Sequence, residues 1–334
     1  MSDADPADSD AGPAPTALPG LAGAAGGVGT APINTAPLNA ASVNTAPLNL
    51  LLSEVALAAV RLAEAGVDSP RADAEELAAW VHGVRRGELH TVRDGDFDAR
   101  FWEAVARREN REPLQHITGR AFFRYLELEV GPGVFVPRPE TEVMVGWAID
   151  RLRDLDIAEP LIVDLCSGSG AVALAIAQEV PRSRVHAVEL SADALAWSRR
   201  NLARTPEGRR VTLHHADALT ALPELDGTVD LVISNPPYVP LLDRDRVSAE
   251  ARDYDPQLAL YAGPDGLDMI RSLERTAFRL LRPGSWVAVE HSDEQGGAVQ
   301  RIFLEELGWA EAADHRDLTG RPRFVTARKE GRSA

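Results

Sequence analysis

A hydrophobic run, Asp230 to Ser234, ends in Asn235, Pro236, Pro237 and Tyr238. Two consecutive prolines fix φ and remove two backbone donors, so the Pro236 carbonyl is held rigidly as an acceptor. The Asn235 side chain offers a second acceptor. Together they can grip the two hydrogens of a planar NH2 group, and Tyr238 offers an aromatic face to that plane. An amide or amino nitrogen is a poor nucleophile because its lone pair is delocalised. Accepting both hydrogens aligns the lone pair and stabilises the positive charge that grows on nitrogen during attack. The electrophile must be strong, and a sulfonium methyl qualifies. No general base of raised pKa is needed beforehand, because the alkylated nitrogen is itself acidic. Asn235, Pro236 and Tyr238 are therefore the candidate catalytic residues, and Asn235, Pro236, Pro237 and Tyr238 the candidate substrate grip. The alternative is a rigid turn that only terminates a strand.

A second constellation lies upstream. Leu161 to Leu165 reads as a buried strand, followed by Cys166, Ser167, Gly168, Ser169 and Gly170 and the start of a helix. Glycines at 168 and 170 permit positive φ and close backbone approach. Glu189 ends the next strand, where an acid can accept both hydrogens of a ribose diol. This points to a nucleotide or nucleoside. The loop alone does not exclude a dinucleotide, although Ala173 stands where the full fingerprint has glycine. Asp217 follows another strand, and it either binds an adenine amino group or caps a helix. Cys166 is either a reactive thiol or a small residue filling a tight turn.

Both constellations need strand ends to carry them. Strands are expected at Leu161–Leu165, Arg184–Glu189, Val211–His215, Asp230–Ser234 and Trp286–Glu290. Helices are expected between them at Glu142–Leu155, Ala171–Glu179, Ala192–Ala203 and Asp268–Leu281. That alternation implies an α/β fold, a doubly wound and mostly parallel sheet that binds ligands at its carboxyl edge. Upstream, Tyr125–Val130 alternates, Gly131-Pro132-Gly133 punctuates and Val134–Val136 resumes, which reads as a β-hairpin. Further upstream the period is helical. Leu51, Val55, Ala58, Leu62 and Ala65 share a face before Gly66. A second helix fits Pro70–Val84 with Leu77, Trp80, Val81 and Val84 inward, and a third fits Asp98–Glu109 with Phe101, Trp102 and Val105 inward. Residues 1–49 carry the repeated units Thr30–Asn34, Thr35–Asn39 and Thr45–Asn49 and no apolar period, as in a disordered low-complexity tail. The expected organisation is a tail at 1–49, a helical domain at 50–118, a hairpin linker at 119–138 and a catalytic domain at 139–330.

Five stretches together resemble one family, the release factor glutamine methyltransferases (PrmC/HemK). They are Glu112–Gly119, Val136–Glu142, the loop Asp164–Gly170, Asn235–Tyr238 and Asp317–Arg321. The resemblance runs from about 50 to 330. It implies a small N-terminal helical substrate domain and a Rossmann-like domain using S-adenosylmethionine. It also implies transfer to the glutamine amide in the Gly-Gly-Gln motif of peptide chain release factors. By position, Cys166–Gly170 would wrap the methionine part, Glu189 the ribose, and Asp217 with Ala218 the adenine. Asn235 would sit near the cofactor as well as the substrate, and Phe135 and Thr141 would close over the cofactor. Arg138 and Glu140 are either part of that closure or a structural ion pair. The chain departs from the pattern at Cys166, where relatives often have glycine, and at Ala218, where they often have an aromatic. It departs also at Asp255-Pro256, where they often have Glu-Pro, and at His291, read as structural.

Composition narrows the alternatives. The chain has 334 residues with a formal net charge of −16, which disfavours a large duplex-binding face. That counts against an adenine-N6 methyltransferase of DNA or RNA, which would use the same turn. A glutamine methyltransferase of a ribosomal protein is a further alternative, and a catalytically silent binding protein a third. Only one of the 35 basic residues, Lys329, is lysine, as GC-rich coding produces. One cysteine permits no internal disulfide, and no metal-ligand spacing is present. No run of 18 apolar residues suggests a membrane span. Four aspartates in the first ten residues are wrong for a signal peptide. A cytoplasmic monomer without direct nucleic-acid contacts is expected.

Overall fold

The structure is a computed structural model and describes residues 50–92, 99–305 and 307–331. The tail at 1–49, with its repeated units, and Asp98, the expected start of the third helix, lie outside those residues.

Four helices open the described chain: α1 (Leu50–Glu64), α2 (Pro70–His82), α3 (Ala99–Glu109) and α4 (Leu114–Thr118). Leu51, Val55, Ala58 and Leu62 bury one stripe of α1 against Leu77, Phe101 and Val105. Pro70 starts α2, where a missing N–H costs nothing. Gly83 stops it in the left-handed region at φ 66°, donating to the carbonyls of Ala79 and Trp80. The helix thus ends before the expected Val84. Trp80, Val81 and Val84 are only half-buried at the margin of this cluster.

The hairpin differs from the expectation. Its strands are β1 (Arg120–Phe123) and β2 (Leu126–Glu129), paired antiparallel with Phe123 opposite Leu126. The turn falls at Arg124, at φ 52°, and 134–136 is not a strand. The Gly-Pro-Gly segment is instead pressed on a helix further along the chain. A Cβ on Gly131 would lie 2.6 Å from the Trp197 ring, and the Trp197 indole donates to the Pro132 carbonyl. Val130, Val134 and Val136 form a small core of their own with Ala121 and Ala194. The apolar alternation there reflects that packing.

The remaining elements alternate: α5 (Thr141–Asp154), β3 (Leu161–Leu165), α6 (Ala171–Glu179), β4 (Arg184–Glu189), α7 (Ala192–Arg204), β5 (Val211–His215), β6 (Val229–Ser234), α8 (Ala249–Tyr254), α9 (Asp268–Leu280), β7 (Leu281–Glu290), α10 (Gly296–Glu305), β8 (Trp309–Arg316) and β9 (Pro322–Lys329). One sheet runs in the order β5-β4-β3-β6-β7-β9-β8. The first five strands are parallel and β9 is antiparallel to both neighbours. All of β3 and β6 is buried, which matches their largely apolar sequences; the two buried acids, Asp164 and Asp230, each accept a backbone N–H. Helices α5 and α6 cover one face, and α9 and α10 the other. The strand order reverses between β3 and β6, so a crevice must open above their carboxyl ends. Among the described residues no helix is long and apolar enough to cross a membrane.

Candidate active site

A cavity of about 550 Å³ lies above that reversal. Its wall includes Phe135, Thr141, Cys166, Ser167, Gly168, Ser169, Glu189, Asp217, Ala218, Asn235, Pro237 and Tyr238. Two expected site residues stand behind it. Gly170 caps α6 at φ 81° and faces Leu202. Pro236 is buried and does not reach the wall.

The glycine loop folds as it does because its backbone is spoken for. Ser167 N–H donates to Val188 O, and Gly170 N–H to Ser167 O. Glu189 braces the loop from β4. Its Oε2 accepts the Gly168 N–H at 2.8 Å and its Oε1 the Ser191 N–H at 2.7 Å. Each oxygen keeps lone pairs for further donors from the cavity. Cys166 sits at φ 64°, a region glycine adopts freely and other residues rarely. Burial pushes its thiol up, so the reactive-thiolate reading fails. Burial likewise holds the Asp164 carboxyl well above its usual range, and that carboxyl accepts the Ala173 N–H in the first turn of α6. Asp217 accepts the Leu219 N–H at 2.9 Å, a local turn and not a helix cap, and Ala218 leaves a small side chain on the wall.

The Asn-Pro-Pro-Tyr turn follows β6, whose Ser234 hydroxyl donates to Leu165 O at the end of β3. Asn235 Nδ2 donates to Thr141 Oγ1 at 3.1 Å, at the first residue of α5. Thr141 Oγ1 in turn donates to Glu290 Oε2 at 2.7 Å. The Tyr238 hydroxyl donates to the other oxygen of Glu290 at 3.1 Å. The Tyr238 carbonyl accepts from Gln295 Nε2 at 2.9 Å. Burial pushes Glu290 up to about 7, against hydrogen bonds and the nearby Arg323 that pull it down. Asp317 holds Arg323 while accepting from the Thr319 and Arg321 amides. The Asp317–Arg321 stretch is thus the β8–β9 turn that aims Arg323 at the cavity.

Several site residues escaped the sequence reading. Glu290 and Arg323 line the cavity; an acid ending a strand was the available signal for Glu290. Ser198 donates to Gly168 O, and Asn201 ties Ser169 O to the hairpin at Glu129; nothing in α7 marks either residue. Arg138 does not pair with Glu140. Its partner is Asp255 at 2.7 Å, and its guanidinium lies 5.0 Å from the Phe135 ring centroid. The Asp-Pro departure at 255 therefore keeps an acid where it is needed. His291 is buried, lies 3.2 Å from Asp314 and does not line the cavity. The segment after the turn is anchored on the helical cluster: Glu250 of α8 meets Arg108 at 3.0 Å and Arg111 at 2.7 Å, and the Tyr254 hydroxyl donates to Asn110 O.

Residues 55–119 match the family described as PrmC N-terminal domain, and residues 162–254 match a methyltransferase domain. A release factor glutamine methyltransferase of Streptomyces coelicolor is 73% identical over 268 residues, covering 80% of this chain and 94% of that protein. A 4-amino-L-phenylalanine/4-methylamino-L-phenylalanine methyltransferase of Streptomyces pristinaespiralis is 44% identical, covering 75% and 86%. Among solved structures, the hMettl16 catalytic domain bound to an RNA hairpin superposes with a TM-score of 0.51 at 10% identity, covering 72% of this chain and 85% of that one. That likeness concerns the fold, a class I methyltransferase sheet.

Proposed function

The chain belongs to the release factor glutamine methyltransferases, and on that premise we propose that it methylates the side-chain amide nitrogen of the glutamine in the Gly-Gly-Gln motif of bacterial peptide chain release factors, with S-adenosylmethionine as donor. The observation that carries the reading is the polarity of Asn235. Its Nδ2 is committed to Thr141, which leaves Oδ1 as its acceptor for the cavity. In the proposed reaction Oδ1 accepts one hydrogen of the substrate amide, while Pro236, buried behind the wall, holds the turn rigid. The Tyr238 ring backs the amide plane. As the nitrogen attacks and becomes positive, the contact to Oδ1 strengthens.

The cavity suits the donor. Ser167 Oγ is buried without a hydrogen-bond partner, and no atom would meet a Cβ on Gly168, so the loop presents an orphan hydroxyl and an open backbone surface. Cys166, Ser167, Gly168 and Ser169 would hold the methionine part, with Gly170 shaping the loop from behind. Glu189 would take the ribose, Asp217 and Ala218 the adenine, and Phe135 would cover it. When bound, the sulfonium supplies an electrophilic methyl. Residues 50–118 are proposed to recognise the release factor, 119–138 to connect, and 139–330 to catalyse. The high identity to the Streptomyces coelicolor relative and the PrmC N-terminal match favour this substrate over a free aromatic amine. The net charge of −16 disfavours nucleic acid.

The test is transfer from methyl-labelled S-adenosylmethionine to four substrates: release factor, the same factor with alanine for its Gly-Gly-Gln glutamine, 4-aminophenylalanine and DNA. Label should enter only the unmodified factor. Label in the alanine factor, or faster labelling of the amino acid or DNA, would overturn the assignment.

A further inference from the structure

The two ends of the Asn235 amide do opposite work, and only the oxygen can receive a substrate hydrogen. Thr141 decides which end faces the cavity. Its hydroxyl has one proton. It lies 2.7 Å from Glu290 Oε2 and 3.1 Å from Asn235 Nδ2. Above about pH 7 Glu290 is ionised and only accepts, so the Thr141 proton points to Glu290 and its lone pairs face Asn235. Asn235 must then turn its NH2 toward Thr141. The other Glu290 oxygen accepts the Tyr238 hydroxyl. Glu290 is 1% exposed, so solvent does not stand in for either partner. One buried carboxylate at the end of β7 thus holds both the amide and the ring of the turn.

We propose that Glu290 is a positioning residue for methyl transfer: acting through Thr141, it fixes the sense of the Asn235 amide so that Oδ1 faces the reacting nitrogen. The proposal rests on the reading of Asn235 as the substrate acceptor. A glutamine at 290 has nearly the same shape but can donate. Its NH2 can bond Thr141, which then donates to Asn235 Oδ1, and the chain of hydrogen bonds runs backwards. Nδ2 is then presented to a substrate NH2, donor against donor.

Steady-state kinetics of the full chain with release factor and S-adenosylmethionine test this, using Glu290→Gln, Thr141→Val, Thr141→Ser, the Glu290→Gln/Thr141→Val pair and Asn235→Ala. Each of the first two should lower kcat about 10- to 100-fold with both KM values within about threefold, as for a mis-set reacting group. Thr141→Ser, which keeps the hydroxyl, should recover most of kcat. The double variant should be no slower than the slower single, because both break one chain. Wild-type kcat in Glu290→Gln beside a dead Asn235→Ala overturns the relay and leaves the site reading standing. Near-normal turnover in Asn235→Ala overturns both. A Thr141→Val defect confined to the KM for S-adenosylmethionine overturns the relay, since the hydroxyl would then serve the cofactor. Thermal melts identify any variant that fails to fold, and the Thr141 series carries the decision if Glu290→Gln does.

Discussion

Replacing Glu189 by glutamine preserves its volume and removes its charge, and the consequences can be worked from its contacts. In the native chain Oε2 accepts Gly168 N–H at 2.8 Å and Oε1 accepts Ser191 N–H at 2.7 Å. Glutamine has one oxygen, so its NH2 must face one of those two donors. One part-buried amide then loses its partner, at a cost of about 1–3 kcal/mol. The cofactor loses more. Two charge-assisted hydrogen bonds to a ribose diol, each worth about 1.5–3 kcal/mol, become at best one neutral bond of about 1 kcal/mol. A net loss of about 3 kcal/mol corresponds to a Kd raised roughly 100-fold. Titration calorimetry with S-adenosylmethionine measures that term, and thermal melting measures the loop term at roughly 2–4 °C per kcal/mol. Glu189→Ala should weaken binding at least as much. A variant with near-native cofactor affinity and a lowered melting temperature would refute the ribose role and leave Glu189 as a loop brace only.

Gly266 sits at φ 77°, and a Cβ there would lie 2.2 Å from the Tyr238 carbonyl oxygen and 2.7 Å from Gln295 Nε2, the donor that holds it. Gly266→Ala should therefore displace the turn, costing about 1–3 kcal/mol in stability and lowering kcat at least about tenfold; unchanged kcat would show that the Gln295 clamp does not shape the site. Glu290 contributes a pH dependence of stability of defined sign. Its carboxyl is raised by burial from an ordinary 4.5 to about 7 in the folded chain, so between those values the native state binds more protons than the unfolded one. Stability must fall as pH rises through that window, by about 3 kcal/mol at most. Glu290→Gln removes this dependence, so its melting temperature should gain on wild type between pH 5 and pH 8; a constant difference would mean that Glu290 titrates normally.

The chemistry-bearing turns were legible because their causes are local. Two prolines after a strand rigidify the chain whatever surrounds them, and glycines at 168 and 170 supply the positive φ values, 55° and 81°, that the loop adopts. The strand at 161–165 is legible from composition, since a strand buried on both faces must be largely apolar; those at 184–189 and 211–215, the latter a half-exposed edge strand, are legible from their place between helices. The carboxyl-edge rule then places Glu189 at the crevice, whose wall it forms. The partners of these residues were not legible, because nothing local selects them. Thr141 and Glu290 are 149 residues apart, and Arg138 and Asp255 are 117 apart. They meet only once the sheet has its order. The hairpin register went to 120–129 because Trp197 claimed the Gly-Pro-Gly segment. Strand β8 is half-exposed along most of its length and gave no clear period to read. Periodicity and turn chemistry act over a few residues, and so they specify which groups stand at strand ends. The reversal of strand order between β3 and β6 decides which of those ends share a cavity, and only the packed sheet expresses it.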